Sequence, residues 1–346
     1  MSKIIVVGDT FVSSDTLKRA VETMGLPEPL EIVALEWHTT DSPEEFQRKL
    51  KLIEENGPEG VELPEGMMEE LPDAEYLFVH VAPISGELLN MAKKLKMIGT
   101  CRGGVEHINV SLAKDKNIPI IHVIRNAEPV ADYAIGLMYT VTRNIALSHA
   151  AVMQGKWPKS FPNDASRTTL SAQTVGLVGL GHIGKMVAQR LIKLGVKVLA
   201  YDPFIDQETL LESGLNVQFV SLNELFAEAD IVSLHMRVTP ATENLVNKEL
   251  LALMKPSAYL INTARPGILD KEAFVAALRK REITGAAIDV VWEEPIHPDD
   301  PLLELDNLVI TSHIAGDTVD AIPNSPFLLA RTVKEYLKTG KSEFII

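Results

Sequence analysis

The stretch Val175-Gly176-Leu177-Val178-Gly179-Leu180-Gly181-His182-Ile183-Gly184-Lys185 constrains this chain more than any other. A short apolar run enters a turn with three glycines. Behind it, Ile183, Val187, Leu191 and Leu194 recur at helical spacing. A second apolar run, Val196–Tyr201, ends in Asp202, 18 residues after Gly184. Strand, turn, helix and strand in that order make a βαβ unit with parallel strands. The three glycines have separable reasons. Gly179 permits the tight turn, Gly181 lets a pyrophosphate reach the backbone, and Gly184 allows the helix to pack closely on the strand. The helix start, from His182 and Ile183, offers N–H groups and a positive dipole end to phosphates. Asp202 stands where ribose hydroxyls need an acceptor and would repel a 2′-phosphate, so the unit reads as a site for NAD rather than NADP. The alternative is a glycine turn that serves packing alone. Gly179 to Lys185 also fits a phosphate-transfer loop, but Met186 has no hydroxyl for Mg²⁺.

The same alternation runs along most of the chain. Strands are expected at Ile4–Val7, Glu31–Leu35, Tyr76–His80, Met97–Thr100 and Pro119–Val123. Further on they are expected at Val175–Gly179, Val196–Tyr201, Ile231–His235, Ala258–Asn262, Ala286–Val290 and Leu308–Thr311. Many are almost wholly apolar, as strands buried on both faces of a parallel sheet should be. The pattern predicts an α/β protein with doubly wound parallel sheets, and 346 residues are enough for two domains. A net charge of −14 argues against nucleic-acid or anionic-membrane partners. Cys101 is the only cysteine, which excludes an intrachain disulfide and a cysteine-cluster zinc site. No H-E-x-x-H or similar spacing appears, so no metal is expected. With no apolar run of membrane-spanning length and no signal-peptide core at the N-terminus, the expected location is cytoplasmic.

Two regions depart from the alternation. From Ala131, the positions Ile135, Met138, Val141 or Thr142, and Ile145 predict one long helix to about Met153, read as a bridge between two domains. After it, Lys156-Trp157-Pro158-Lys159-Ser160-Phe161-Pro162 is either an arm for a partner subunit in a homodimer or a loop over its own domain. Residues 27–72 are acidic, and the helical pattern Glu44–Glu55 within them reads as a solvated face without chemistry.

Three downstream segments each put polar residues just past an apolar strand, where open α/β sheets bind ligands. They are Leu260-Ile261-Asn262-Thr263-Ala264-Arg265-Pro266-Gly267, the run Gly285 to Pro295 containing Asp289 and Glu294, and Asn307 to Gly316 containing His313. With the glycine turn and its acid, this set resembles the D-isomer-specific 2-hydroxyacid dehydrogenases, from about Met97 to about His313. The resemblance implies that Arg265, Glu294 and His313 are catalytic. His313 would exchange a proton with the substrate oxygen, Glu294 would orient and charge-stabilise the imidazole, and Arg265 would hold the substrate carboxylate and polarise the carbonyl. It also implies cofactor contacts at His235, Thr263, Ala264 and Asp289, and a substrate loop over Gly99–Asn109 that uses Gly103 and Gly104.

Arg102, just before those glycines, would bind a second anionic or polar group of the substrate or pair with Glu106 to brace the loop. Arg237 stands where the family usually has proline, and Pro266 where glycine is more usual. The implied fold is a Rossmann NAD-binding domain, 125–316, inserted in a discontinuous flavodoxin-like substrate domain, 1–124 with 317–346. The last helix, about Val319–Thr339, would return to the first domain through Ala330, Val333 and Leu337, and the cleft between domains would hold the active site. The expected activity is NAD-dependent interconversion of a D-2-hydroxy acid and its 2-keto acid. The competing reading is an NAD-sensing co-repressor-like binding protein on the same fold. An amino-acid dehydrogenase fits poorly, for want of an evident catalytic lysine.

Overall fold

The structure, a computed structural model, describes residues 1–206 and 214–346. The chain divides into two compact units: Met1–Arg125 with Thr318–Ile346, and Asn126–Asp317.

The first unit is built on five parallel strands, β1 (Ser2–Gly8), β2 (Leu30–Glu36), β3 (Tyr76–Val79), β4 (Met97–Thr100) and β5 (Ile120–Ile121). Their order, β2-β1-β3-β4-β5, is the flavodoxin-like one. Strands β1, β3 and β4 are interior, and Ile4–Val7, Leu77–Val79 and Ile98 are buried on both faces, which is why they read as unbroken apolar runs. The edge strand β2 is only partly buried, so Glu31 is accommodated there. Helix Pro43–Asn56 starts in a capping box between Ser42 and Glu45 and buries Phe46, Leu50 and Ile53. The charged side chains Glu44, Glu45, Arg48, Lys51, Glu54 and Glu55 are exposed on its other side, the solvated face expected from the sequence.

The closing helix is shorter than expected, Ser325–Thr339, because the preceding residues form turns and Pro326 suits a first helical turn. It packs on helix Ser14–Val21 and on β4 and β5 within the same unit. Leu329, Ala330 and Val333 form its buried aliphatic stripe, whereas Leu337 is 40% exposed and does not belong to it. After it the chain runs antiparallel beside β5, with His122 N–H donating to Phe344 O at 2.9 Å and Ile346 N–H to Ile120 O at 3.0 Å.

Among its described residues the second unit has seven parallel strands: β6 (Thr174–Val178), β7 (Lys197–Tyr201), β8 (Gln218–Phe219), β9 (Ile231–Leu234), β10 (Tyr259–Asn262), β11 (Gly285–Ile288) and β12 (Leu308–Ile310). They lie in the order β12-β11-β10-β9-β6-β7-β8. This is a Rossmann sheet extended by one strand, with its topological switch point between β6 and β9. The two-residue edge strand β8 was not anticipated.

The long helix expected from Ala131 is two helices, Ala127–Thr142 and Ile145–Met153. Periodicity runs through the break; the backbone does not, because Asn144 takes a left-handed φ of 56°. Asn163 compensates the interruption. Its Nδ2 donates to Thr142 O at 3.0 Å and to Tyr259 Oη at 2.7 Å, and its Oδ1 accepts from Asn144 Nδ2 at 2.8 Å. Both helices lie inside the second unit, and Ala131, Ala134, Leu137 and Met138 pack into its core. The chain leaves the first unit at Arg125, ahead of these helices, so neither is the expected bridge.

Candidate active site

The glycine turn lies at the switch point of the second sheet, between β6 and helix His182–Lys193. Gly179 has φ +97°, and a Cβ on it would stand 2.7 Å from His235 O. A Cβ on Gly184 would meet Gly179 O at 2.2 Å, so the helix can approach the turn only with glycine there. Gly181 is different: a Cβ would meet nothing within 4 Å. Two glycines are needed by the protein's own packing, and the third faces open space. Asp202, past the end of β7, accepts from Leu180 N–H at 2.8 Å and from Phe204 N–H at 2.9 Å. These bonds fix its carboxylate against the glycine turn. His235, past the end of β9, bonds through Nε2 to Ser233 Oγ at 2.9 Å. Enclosure of its ring pushes its pKa down to about 4.

Past β10, Asn262 is fully buried and braces the next turn: its Oδ1 accepts from Ala264 N–H at 3.0 Å and its Nδ2 donates to Arg265 O at 2.9 Å. Arg265 is exposed, with Nη1 on Ala264 O at 2.7 Å. Past β11, Asp289 is 1% exposed. One of its oxygens accepts from Thr311 Oγ1 at 2.6 Å and Ile314 N–H at 3.1 Å, the other from Ala315 N–H at 2.8 Å. Three donors from both sides of His313 thus converge on one buried carboxylate. His313 itself has φ +57°, a left-handed conformation that costs a non-glycine residue about 1 kcal/mol or more. Its Nδ1 lies 2.8 Å from Glu294 Oε2. Partial burial would raise the Glu294 pKa, but the His313 hydrogen bond, the Val291 N–H and the charges of His313 and Arg265 outweigh it and hold the carboxyl below its usual range.

In the first unit, Arg102 follows β4 and is ion-paired to Glu54 at 2.5 Å and, more loosely, to Glu106 at 3.9 Å. The expected pairing with Glu106 is the weaker of two. The stronger partner comes from the acidic segment that had shown no chemistry. Gly103 and Gly104 form the bend after it, and among the described residues their N–H groups donate no hydrogen bond to the chain. Sequence reasoning missed a cluster beside them. His80, fully buried past β3, bonds through Nδ1 to Asp9 Oδ2 at 2.9 Å, and its Nε2 lies 2.8 Å from Arg125 Nη1. The segments that supply these residues are far apart in sequence, and no motif links them.

The comparisons with known proteins bear on both units. Residues 135–315 match the family model described as the NAD-binding domain of D-isomer specific 2-hydroxyacid dehydrogenases. The chain is 39% identical to a glyoxylate reductase of Thermofilum pendens over 260 residues, 74% of this chain and 76% of that protein. The chain belongs to the D-isomer-specific 2-hydroxyacid dehydrogenases. A D-3-phosphoglycerate dehydrogenase of Methanocaldococcus jannaschii is 34% identical over 306 residues, 86% of this dehydrogenase but only 57% of that longer protein. The NAD-complexed D-isomer specific 2-hydroxyacid dehydrogenase of Lactobacillus delbrueckii shares the fold over 100% of both chains, at a TM-score of 0.70 and 23% identity. The protein is an NAD-dependent oxidoreductase of this family.

The residues of the dehydrogenase fit NAD. Gly181 faces open space where its glycine serves no packing need. Asp202 uses one lone pair on each oxygen for backbone N–H groups and keeps others for ribose hydroxyls. Thr263 Oγ1 is buried without a hydrogen-bond partner among the described residues. A buried hydroxyl left unpaired is costly unless a ligand supplies its partner. No group of three or more His, Cys, Asp or Glu among the described residues could hold a metal ion. No described helix is long and apolar enough to cross a membrane.

Proposed function

We propose that this dehydrogenase interconverts a D-2-hydroxy acid and its 2-keto acid, with His313 as the proton donor and acceptor. The observation that carries the proposal is the His313–Glu294 pair, 2.8 Å apart, with His313 in a left-handed conformation on a loop that Asp289 holds. NAD, when bound, supplies or accepts the hydride. Everything else falls to the chain. Reduction leaves negative charge on the carbonyl oxygen, and the protonated imidazole of His313 delivers a proton to it through Nε2, since Nδ1 is committed to Glu294. The Glu294 carboxylate favours the protonated ring and fixes its orientation. In oxidation the neutral ring takes the hydroxyl proton back.

Arg265 is proposed to clamp the substrate carboxylate with its planar fork and to polarise the carbonyl. The backbone N–H groups of Gly103 and Gly104 are proposed as substrate contacts in the first unit, with Arg102 bracing the loop through Glu54 and Glu106. His182, Ile183, His235, Thr263 and Ala264 are proposed, with the glycine turn and Asp202, as cofactor contacts. The assembly is proposed to be a homodimer, supported by helix Ile145–Met153, which buries none of its residues and exposes Ile145, Leu147, Val152 and Met153, and its location is proposed to be cytoplasmic. None of the relatives named above is a co-repressor.

The test is NADH consumption by the purified protein against a panel of 2-keto acids, followed by chiral analysis of the product. A D-2-hydroxy acid is expected. An L product, or no consumption with any keto acid, contradicts the proposal.

A further inference from the structure

Asp9, His80, Cys101, Arg102 and Arg125 all lie beyond the carboxyl ends of strands in the first unit: β1, β3, β4 for both Cys101 and Arg102, and β5. Ligands of doubly wound sheets bind at such ends. Asp9 is 4% exposed, and its Oδ1 accepts from the N–H groups of Phe11 and Val12 at 2.9 and 3.0 Å. An arginine can only donate, so the 2.8 Å contact from Arg125 Nη1 makes His80 Nε2 the acceptor. The ring proton then sits on Nδ1 and points at Asp9. Burial, the largest influence, together with Arg125 and Arg102, keeps His80 neutral against the opposing pull of Asp9. Thr100 Oγ1 donates to His80 O at 3.0 Å and holds the same backbone. Asp9, His80 and Arg125 therefore form a directed chain of hydrogen bonds that ends on a guanidinium.

That guanidinium is half-used. Its hydrogen bonds all go through Nη1, to His80 and, at 3.5 Å, to Cys101 O. Among the described residues Nε and Nη2 donate to nothing, and no carboxylate pairs with Arg125 directly. Arg102, by contrast, is engaged by Glu54 and Glu106. The glycine bend lies alongside: Val123 N–H donates to Arg102 O at 3.2 Å, and a Cβ on Gly103 would sit 3.8 Å from Val123 O and Ile124.

We propose that Arg125, rather than Arg102, is the specificity-determining arginine of the first unit, binding one carboxylate or phosphate group of the substrate through its Nε–Nη2 edge. Asp9 and His80 are positioning residues that aim it. The assignment of a substrate group rests on the function proposed above; the anion site itself does not. A neutral His80 matters here, because an imidazolium would turn an N–H toward Arg125 and repel it.

The experiment is calorimetric titration of the NADH-loaded protein with oxalate and, separately, with inorganic phosphate. The two arms distinguish a carboxylate site from a phosphate site. Arg125→Gln should weaken the anion that binds wild type by about tenfold or more, the worth of a charge-assisted hydrogen bond, and by more than Arg102→Gln does. Arg125→Lys should recover only part of the loss. His80→Asn keeps a donor for Asp9 and removes the acceptor for Arg125. It should raise the KM for the keto acid more than it lowers kcat, and His80→Gln should restore part of that KM. Binding of neither anion to wild type, or undiminished binding to Arg125→Gln, overturns the proposal. Turnover is not needed for the titration, so a protein that reduces no keto acid fails the functional reading and still tests Arg125.

Discussion

Asp289→Asn isolates the brace behind the candidate acid–base residue. The aspartate is almost wholly enclosed and accepts three hydrogen bonds, from Thr311 Oγ1, Ile314 N–H and Ala315 N–H. An asparagine replaces one acceptor oxygen with an NH2 group. Whichever way the amide turns, that group faces either Ala315 N–H or the Thr311 and Ile314 pair. One unmet buried donor costs about 1–3 kcal/mol, and the surviving bonds lose their charge assistance, so a destabilisation of roughly 2–4 kcal/mol is expected. The strained φ of His313 is held by the same bonds, so the loop relaxes and the imidazole leaves Glu294. If about 1.4–2.7 kcal/mol of the loss appears in the transition state, kcat falls roughly ten- to hundredfold. Urea unfolding measures the first quantity, and NADH consumption at saturating keto acid measures the second. NADH fluorescence titration checks the alternative role of Asp289 at the nicotinamide. Cofactor affinity should change by less than about threefold, since all three donors belong to the His313 loop and not to the glycine turn. Unchanged unfolding with unchanged kcat, or a loss confined to NADH affinity, would refute this reasoning.

Glu294→Gln removes the charge beside the imidazole. The Glu294 carboxyl is held low in the folded protein, so its contribution is present above the unfolded value and disappears as pH falls through the folded one. In the variant that dependence is gone, and the alkaline limb of kcat/KM for reduction should move to lower pH; an unmoved profile would contradict the pairing. Gly184→Ala forces a Cβ to 2.2 Å from a backbone oxygen, so the helix must shift, with a loss of about 1–3 kcal/mol in stability and weaker NADH binding by titration. Asp202→Ser with a nearby arginine should narrow the preference for NADH over NADPH, because repulsion of the 2′-phosphate is lost and a partner gained. Equal use of both cofactors by the wild type would remove that role from Asp202.

Interior strands were legible because burial on both faces leaves only apolar residues, as at Ile4–Val7 and Leu260–Ile261. The glycine turn and the Arg265, Glu294 and His313 segments were legible because each is a local motif tied to a strand end. The break at Asn144 was not, since apolar spacing continues across it and the residue that accommodates it, Asn163, is 19 residues away. The short edge strand β8 carries too little pattern to stand out. The second partner of Arg102 was not legible for a similar reason: Glu106 is four residues away and does pair with it, but Glu54, 48 residues away in sequence, comes closer. Asp9, His80 and Arg125 are joined only by the order β2-β1-β3-β4-β5, which no local spacing reveals. Local chemistry is readable in sequence, and chemistry assembled by strand order becomes readable only once the sheet is known.

The central claim is that His313 moves the proton. Its most direct measurement is single-turnover oxidation of NADH by His313→Ala, with the best keto acid of the panel and with NADH affinity measured in parallel. Loss of a positioned acid–base group predicts a rate lower by about a hundredfold or more, with NADH affinity nearly unchanged. A variant that oxidises NADH within about threefold of the wild-type rate would contradict the claim, because proton delivery would then come from another group.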